Sequence, residues 1–157
     1  MKITAYEEYG LRILLRIAKI LRTNPCSLVS LQDIAVTEGI SIENSAAILA
    51  KLKDAGLVES VRGKYGGYKL SKTPCQINLH QIIQGLAKDT FTDDFCEQHK
   101  GTQNHCANST DCAIRPVWNG LNSLITNFLS SITLEQLMQD EACMANKIAN
   151  NLELLNY

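Results

Sequence analysis

Apolar residues recur at three- and four-residue steps through residues 5–22, at Ile13, Leu14, Ile17, Ile20 and Leu21, and Thr4 stands where an N-cap is needed. This pattern predicts a helix. The stretch "SLVSLQDIAVTEG" predicts a short second helix, opened by Ser30 with Asp33 three positions on and closed by Gly39. "SIENSAAILAKLKDAG" predicts a third, with Ser41 as cap and Gly56 as terminator. Only a tight turn at Gly39 separates these two, which is helix-turn-helix spacing. The period then changes. "LVESV" alternates apolar and polar positions, "RGKYGG" is a glycine-rich turn and "YKLS" returns, so a β-hairpin is expected. Beyond it, "NLHQIIQGL" reads as a short helix, residues 95–116 as a polar segment rich in cysteine, and Pro116 to about Ser130 as a long helix. "TLEQLMQD" forms a further short helix, followed by a tail that can also coil.

The order helix-turn-helix then hairpin is that of a winged helix. The expected fold is therefore mostly α with a small β-hairpin wing: a winged helix-turn-helix over residues 1–78, then the cysteine-rich loop, a long dimerisation helix and a C-terminal tail over 79–157. The long helix carries the dimer expectation. At about 100° per residue, Val117, Trp118, Leu121, Leu124, Ile125, Phe128, Leu129 and Ile132 fall in an arc roughly 140° wide. The opposite face holds Asn119, Asn122, Ser123, Thr126, Asn127 and Ser130, and no charge occurs from Pro116 to Leu134. A stripe this wide with an uncharged back suits a helix covered on two sides, most simply in a homodimer. An internal helix of a monomer is the other reading.

Composition narrows the classes. The chain has 157 residues, 45% of them hydrophobic and 20% charged, enough for one packed domain with an appendage and too apolar for wholesale disorder. The amino terminus threads Glu7, Glu8, Arg12, Arg16 and Lys19 through its apolar residues, so no export signal and no membrane span is read. A cytoplasmic protein is expected, and clustered cysteines there favour metal or redox chemistry over disulfides. Charge is uneven. Residues 41–72 carry net +3 and residues 73–157 net −5, so the basic middle suggests a face for a polyanion.

Candidate chemistry lies at two places. A helix that reads DNA needs short polar side chains near its start for base edges and basic ones beyond for phosphates. Ser41, Glu43, Asn44 and Ser45 open the third helix, and Lys51 and Lys53 follow. Ser41 and Asn44 also read as ordinary capping residues, while Ile42, Leu49 and Leu52 are expected in the core. Arg62 sits at the edge of the hairpin turn, with Gly63, Gly66 and Gly67 permitting close backbone approach and Lys64 and Lys69 available to phosphates. The second place is Cys96, Cys106 and Cys112, spaced C-x9-C-x5-C, too widely for paired C-x2-C zinc knuckles. Cys26, Cys75 and Cys143 are isolated and expected as small buried residues.

These segments together resemble the bacterial winged-helix iron–sulfur regulators of the IscR/NsrR type, over residues 1 to about 140, and the wing "GLVESVRGKYGGYKLS" is the most specific part. The resemblance implies a homodimeric transcription factor, not an enzyme, that binds promoter DNA and senses redox state, nitric oxide or iron–sulfur status. It implies Arg62 in a minor groove and Cys96, Cys106 and Cys112 as thiolate ligands of an iron–sulfur cluster. A 4Fe–4S cubane, which accepts three cysteines and one other donor, is expected over 2Fe–2S. Two departures stand out. The nine-residue first spacing is longer than in those relatives, and Arg115 occupies the position of their histidine ligand. The matching acidic residue for a fourth ligand from the partner subunit is Glu8, with His99 and His105 as local alternatives and His80 as structural. A zinc-stabilised or thiol-switch repressor, with Zn²⁺ on the three cysteines and His105, is the competing reading.

Overall fold

The computed structural model describes residues 3–87, 102, 105, 106, 108 and 110–153. Helix α1 spans Ala5–Thr23 and starts on a capping box: the Thr4 amide donates to the Glu7 carboxylate at 2.6 Å and the Glu7 amide to the Thr4 hydroxyl at 3.4 Å. Its predicted stripe is the inner face, with Ile13, Leu14, Ile17 and Ala18 buried. Helix α2 (Leu31–Glu38) is capped by Ser30 and stops at Gly39, whose φ of 65° is the left-handed conformation that glycine adopts without strain. Helix α3 (Ile42–Asp54) is capped by the Ser41 hydroxyl, and Gly56 (φ 68°) turns the chain out of it.

Strands β1 (Val58–Val61) and β2 (Gly67–Leu70) pair antiparallel from Val58 opposite Leu70 to Val61 opposite Gly67. A bridge absent from the sequence reading adds a third edge: Val29 and Tyr68 exchange backbone hydrogen bonds of 3.0 and 2.8 Å. This ties the wing to the chain just ahead of α2. After a 3-10 turn at Pro74–Gln76, Asn78 caps α4 (Leu79–Leu86). The long helix α5 spans Ile114–Ser130, two residues earlier than expected, and is followed by α6 (Leu134–Leu137) and α7 (Glu141–Glu153), the coiled tail.

One core serves nearly all of this. Ile82 and Leu86 of α4 and Leu134 and Met138 from the α6 region lie in the same apolar cluster as Ile13, Ile34, Leu49 and Val58. The returning chain is stitched back as well, since the Leu79 amide donates to Ile132 and the Leu134 amide to Ile77, both at 2.8 Å. The division expected at residues 78 and 79 is therefore crossed by core packing on both sides. Two burial expectations are corrected. Ile42, expected in the core, is 47% exposed, because the first turn of α3 projects beyond the core. Cys26, Cys75 and Cys143, expected as buried, are exposed in turns and on α7.

Along α5 only the C-terminal end is covered. Leu129 and Ile132 are buried, whereas Val117, Leu121 and Leu124 are 62, 39 and 53% exposed. Among the described residues, nothing covers the N-terminal half of the stripe that the sequence encodes.

Candidate nucleic-acid interface and metal centre

The start of α3 is held in place from α1. Arg12 stacks over the Tyr9 ring at 5.7 Å, pairs through Nε with the Glu38 carboxylate at 3.0 Å, and donates through a second nitrogen to the Glu38 carbonyl. That carbonyl belongs to the last turn of α2, where the helix dipole favours a cation. One side chain thus fixes α1 against the α2–α3 turn. Sequence spacing could not reveal this pair, because its members are 26 residues apart.

On α3, Ser41, Glu43 and Asn44 are exposed at the opening of the helix. The Ser41 hydroxyl accepts from the Asn44 amide at 3.2 Å, so Ser41 acts as a cap, while Glu43 and Asn44 present their side chains outward. One expected contact is corrected. Ser45 is fully buried and its hydroxyl has no hydrogen-bond partner, so it faces the core and not a groove. Lys51 lies 4.9 Å over the Tyr6 ring, whose phenol pKa burial raises, and donates to the Leu86 carbonyl at 3.3 Å. Its ammonium joins α3 to α1 and α4, although the residue remains exposed. Lys53 is exposed.

At the wing, Arg62 is exposed beside Gly63 (φ 127°), and the Gly66 amide closes the turn onto the Gly63 carbonyl at 2.9 Å. A side chain at Gly66 would collide with the Val61 carbonyl, so the tip needs glycine there. Lys64 extends over Tyr65 at 5.6 Å, and both residues are exposed. Lys69 pairs across the strands with Glu59 at 3.1 Å, a half-exposed pair of the kind worth about 0.2–1 kcal/mol. The exposed set is therefore Ser41, Glu43, Asn44, Lys51, Lys53, Arg62 and Lys64, with the uncharged Ile42 among them.

The chain that carries these two elements, an exposed helix opening and a basic glycine-tipped hairpin on one core, matches a family model described as an iron-dependent transcriptional regulator over residues 3–140. The chain belongs to the Rrf2 family. It is 34% identical to the HTH-type transcriptional regulator IscR of Vibrio campbellii, over 98% of this chain and 87% of that one. It is 33% identical to the regulator NsrR of Bacillus licheniformis, over 90 and 94%. Among solved structures it is similar to T. potens IscR (29% identity, TM-score 0.64, covering 88% of this chain and 86% of that one). It is likewise similar to CymR, the global cysteine regulator of B. subtilis (29%, 0.64, covering 89 and 99%). The Rrf2 chain is thus a DNA-binding transcriptional regulator with a winged-helix fold, not an enzyme.

The cysteine segment enters α5. Cys106 and Cys112 are half-buried free thiols, and Cys112 lies two residues before the helix begins. Cys96 and His99 lie outside the described residues. His105 is exposed next to Cys106, His80 is half-buried on α4, and Arg115 is exposed on the first turn of α5. Among the described residues no three His, Cys, Asp or Glu side chains come together to hold a metal ion. Glu8, on the first turn of α1, is exposed, unlike Glu7 beside it, which is buried by its capping role. No helix of the described residues is long and apolar enough to cross a membrane.

Proposed function

We propose that this Rrf2 regulator is a cytoplasmic homodimer that binds promoter DNA through Ser41, Glu43, Asn44, Arg62 and Lys64 and carries an iron–sulfur cluster on Cys96, Cys106 and Cys112. The observation that carries the reading is the uncovered stripe of α5 directly after Cys106 and Cys112. A second copy covering that stripe places two thiol segments beside one interface and two recognition helices on one dyad, as a palindromic site requires. The donor chemistry fits the group: half-buried thiols in a polar segment suit iron, and three thiolates leave one position for another donor. When bound, the cluster would supply a centre that reacts with oxygen, nitric oxide or reductant.

Glu8 of the partner subunit completes the ligand set in this reading, and its exposure on α1 leaves it available. It lies one helical turn before Arg12, whose grip on Glu38 ties α1 to the turn ahead of α3. Tension or release at Glu8 thereby reaches Glu43 and Asn44 through the chain's own contacts, biasing one arrangement of the two heads over another. The description of the family model, an iron-dependent transcriptional regulator, supports iron as the sensing chemistry.

A thiol switch is the second reading, favoured by likeness to the solved oxidized form of Staphylococcus aureus CymR (26% identity, TM-score 0.64). In its zinc-stabilised form His105 joins the cysteines. Anaerobic purification with absorption spectroscopy and iron and sulfide analysis separates the two. Brown protein that loses colour in Cys106→Ser and Cys112→Ser but keeps it in Cys26→Ser, Cys75→Ser and Cys143→Ser is expected. Colourless or zinc-loaded anaerobic protein would replace the cluster with the switch.

A further inference from the structure

Away from the thiols and the DNA-facing surface, the last turns of α1, the end of β2, the Pro74–Gln76 turn and α6 line an open cleft of about 850 Å³. Its size falls in the roughly 300–1,000 Å³ range of small-molecule sites. Leu21, Leu70 and Met138 give it an apolar floor, and the latter two belong to the main core. Arg22 and Lys72 also line it, and neither makes an ion pair among the described residues. Glu135 is the one carboxylate on its wall, leaving the lining a net positive charge. The Ser71 hydroxyl, on the same wall, is buried without a hydrogen-bond partner. A buried hydroxyl normally has one.

We propose that this cleft binds a small organic monoanion with an apolar body, a carboxylate of the aryl- or alkyl-acid class. The carboxylate is held by Arg22 and Lys72, and the body lies on Leu21, Leu70 and Met138. Arg22 can grip a carboxylate in bidentate fashion. Glu135 sets the charge selectivity, because a doubly charged phosphate or phosphonate would meet a like charge on the facing wall. The occupant would touch both β2, which runs from Leu70 to the wing turn, and α6, which follows the long helix. Binding would therefore bias the wing relative to α5 independently of any cluster.

The test uses the full chain and 3-phenylpropionate as probe, titrated by calorimetry at about pH 9 beside the neutral 3-phenylpropan-1-ol and 2-phenylethylphosphonate, which is dianionic at that pH. Saturable binding of the carboxylate, at least about tenfold tighter than the alcohol and the phosphonate, is expected. The double variant Arg22→Gln with Lys72→Gln should lose about tenfold or more in affinity while keeping the wild-type unfolding temperature, since Arg22 and Lys72 are both exposed. Glu135→Gln should narrow the gap between carboxylate and phosphonate. Absence of saturable binding overturns the proposal, as does an alcohol or phosphonate that binds as tightly, or a double variant that binds like wild type.

Discussion

Gly10 sits mid-way along α1 where that helix meets α4, and replacing it by alanine sets two effects against each other. Alanine is favoured over glycine inside a helix by about 1 kcal/mol. A Cβ on Gly10, however, would collide with the nearer methyl of Leu86 and lie 2.8 Å from its other methyl and 3.1 Å from its Cγ. Carbon atoms pack best at about 3.5–4.0 Å. Leu86 cannot swing outward, because it is 3% exposed and its carbonyl is held by Lys51 at 3.3 Å. Forcing an extra methyl into such a site costs about 1–3 kcal/mol. The packing cost therefore offsets or exceeds the propensity gain, and Gly10→Ala should destabilise by up to about 2 kcal/mol, or up to roughly 8 °C in Tm for a chain of this size. Gly120→Ala on α5 isolates the propensity term, since nothing lies within 4 Å of a Cβ there. It should stabilise by about 1 kcal/mol. Urea unfolding followed by circular dichroism, at one protein concentration and with unchanged m-value, measures both. A Gly10→Ala protein as stable as Gly120→Ala would show that α1 and α4 part freely, and the argument for a tight joint would fail.

Leu124→Asp places a charge on the exposed part of the α5 stripe, so it should leave the fold intact and yield monomer in sedimentation; wild-type protein that is monomeric at micromolar concentration would remove the dimer. Arg62→Ala should weaken binding to a selected promoter sequence by about 1–3 kcal/mol at fixed salt, whereas Lys64→Ala should lower affinity for all sequences and flatten the salt dependence. An Arg62→Ala protein that binds like wild type would discard the wing contact. Ser45→Ala should raise stability by up to about 1 kcal/mol, by removing an unpartnered buried hydroxyl and adding helix propensity, with DNA affinity unchanged. Loss of DNA affinity in that variant would return Ser45 to the interface.

The sequence by itself determined the elements and their ends, because the causes are local. Thr4, Ser30, Ser41 and Asn78 cap within three residues of themselves, and Gly39 and Gly56 adopt the left-handed turns that stop α2 and α3. Repeating apolar steps likewise marked the inner face of α1 and the stripe of α5, and the wing turn announced itself in "RGKYGG". Direction of individual side chains was a different matter. Ile42 and Ser45 exchanged their expected places because rotation of α3 against α1 and α4 sets which residues of its first turn meet the core. Lys51, though exposed, lies against Tyr6 and the Leu86 carbonyl, 45 residues behind and 35 ahead, which offer its ammonium a ring and an acceptor together. The Val29–Tyr68 bridge, the Arg12–Glu38 lock and the cleft under Leu70 and Met138 arise in the same way, from groups far apart in the chain that only packing brings within a few ångströms. A single sequence encodes local periods and caps directly, whereas long-range pairing depends on the relative placement of whole elements, which the shared core alone decides.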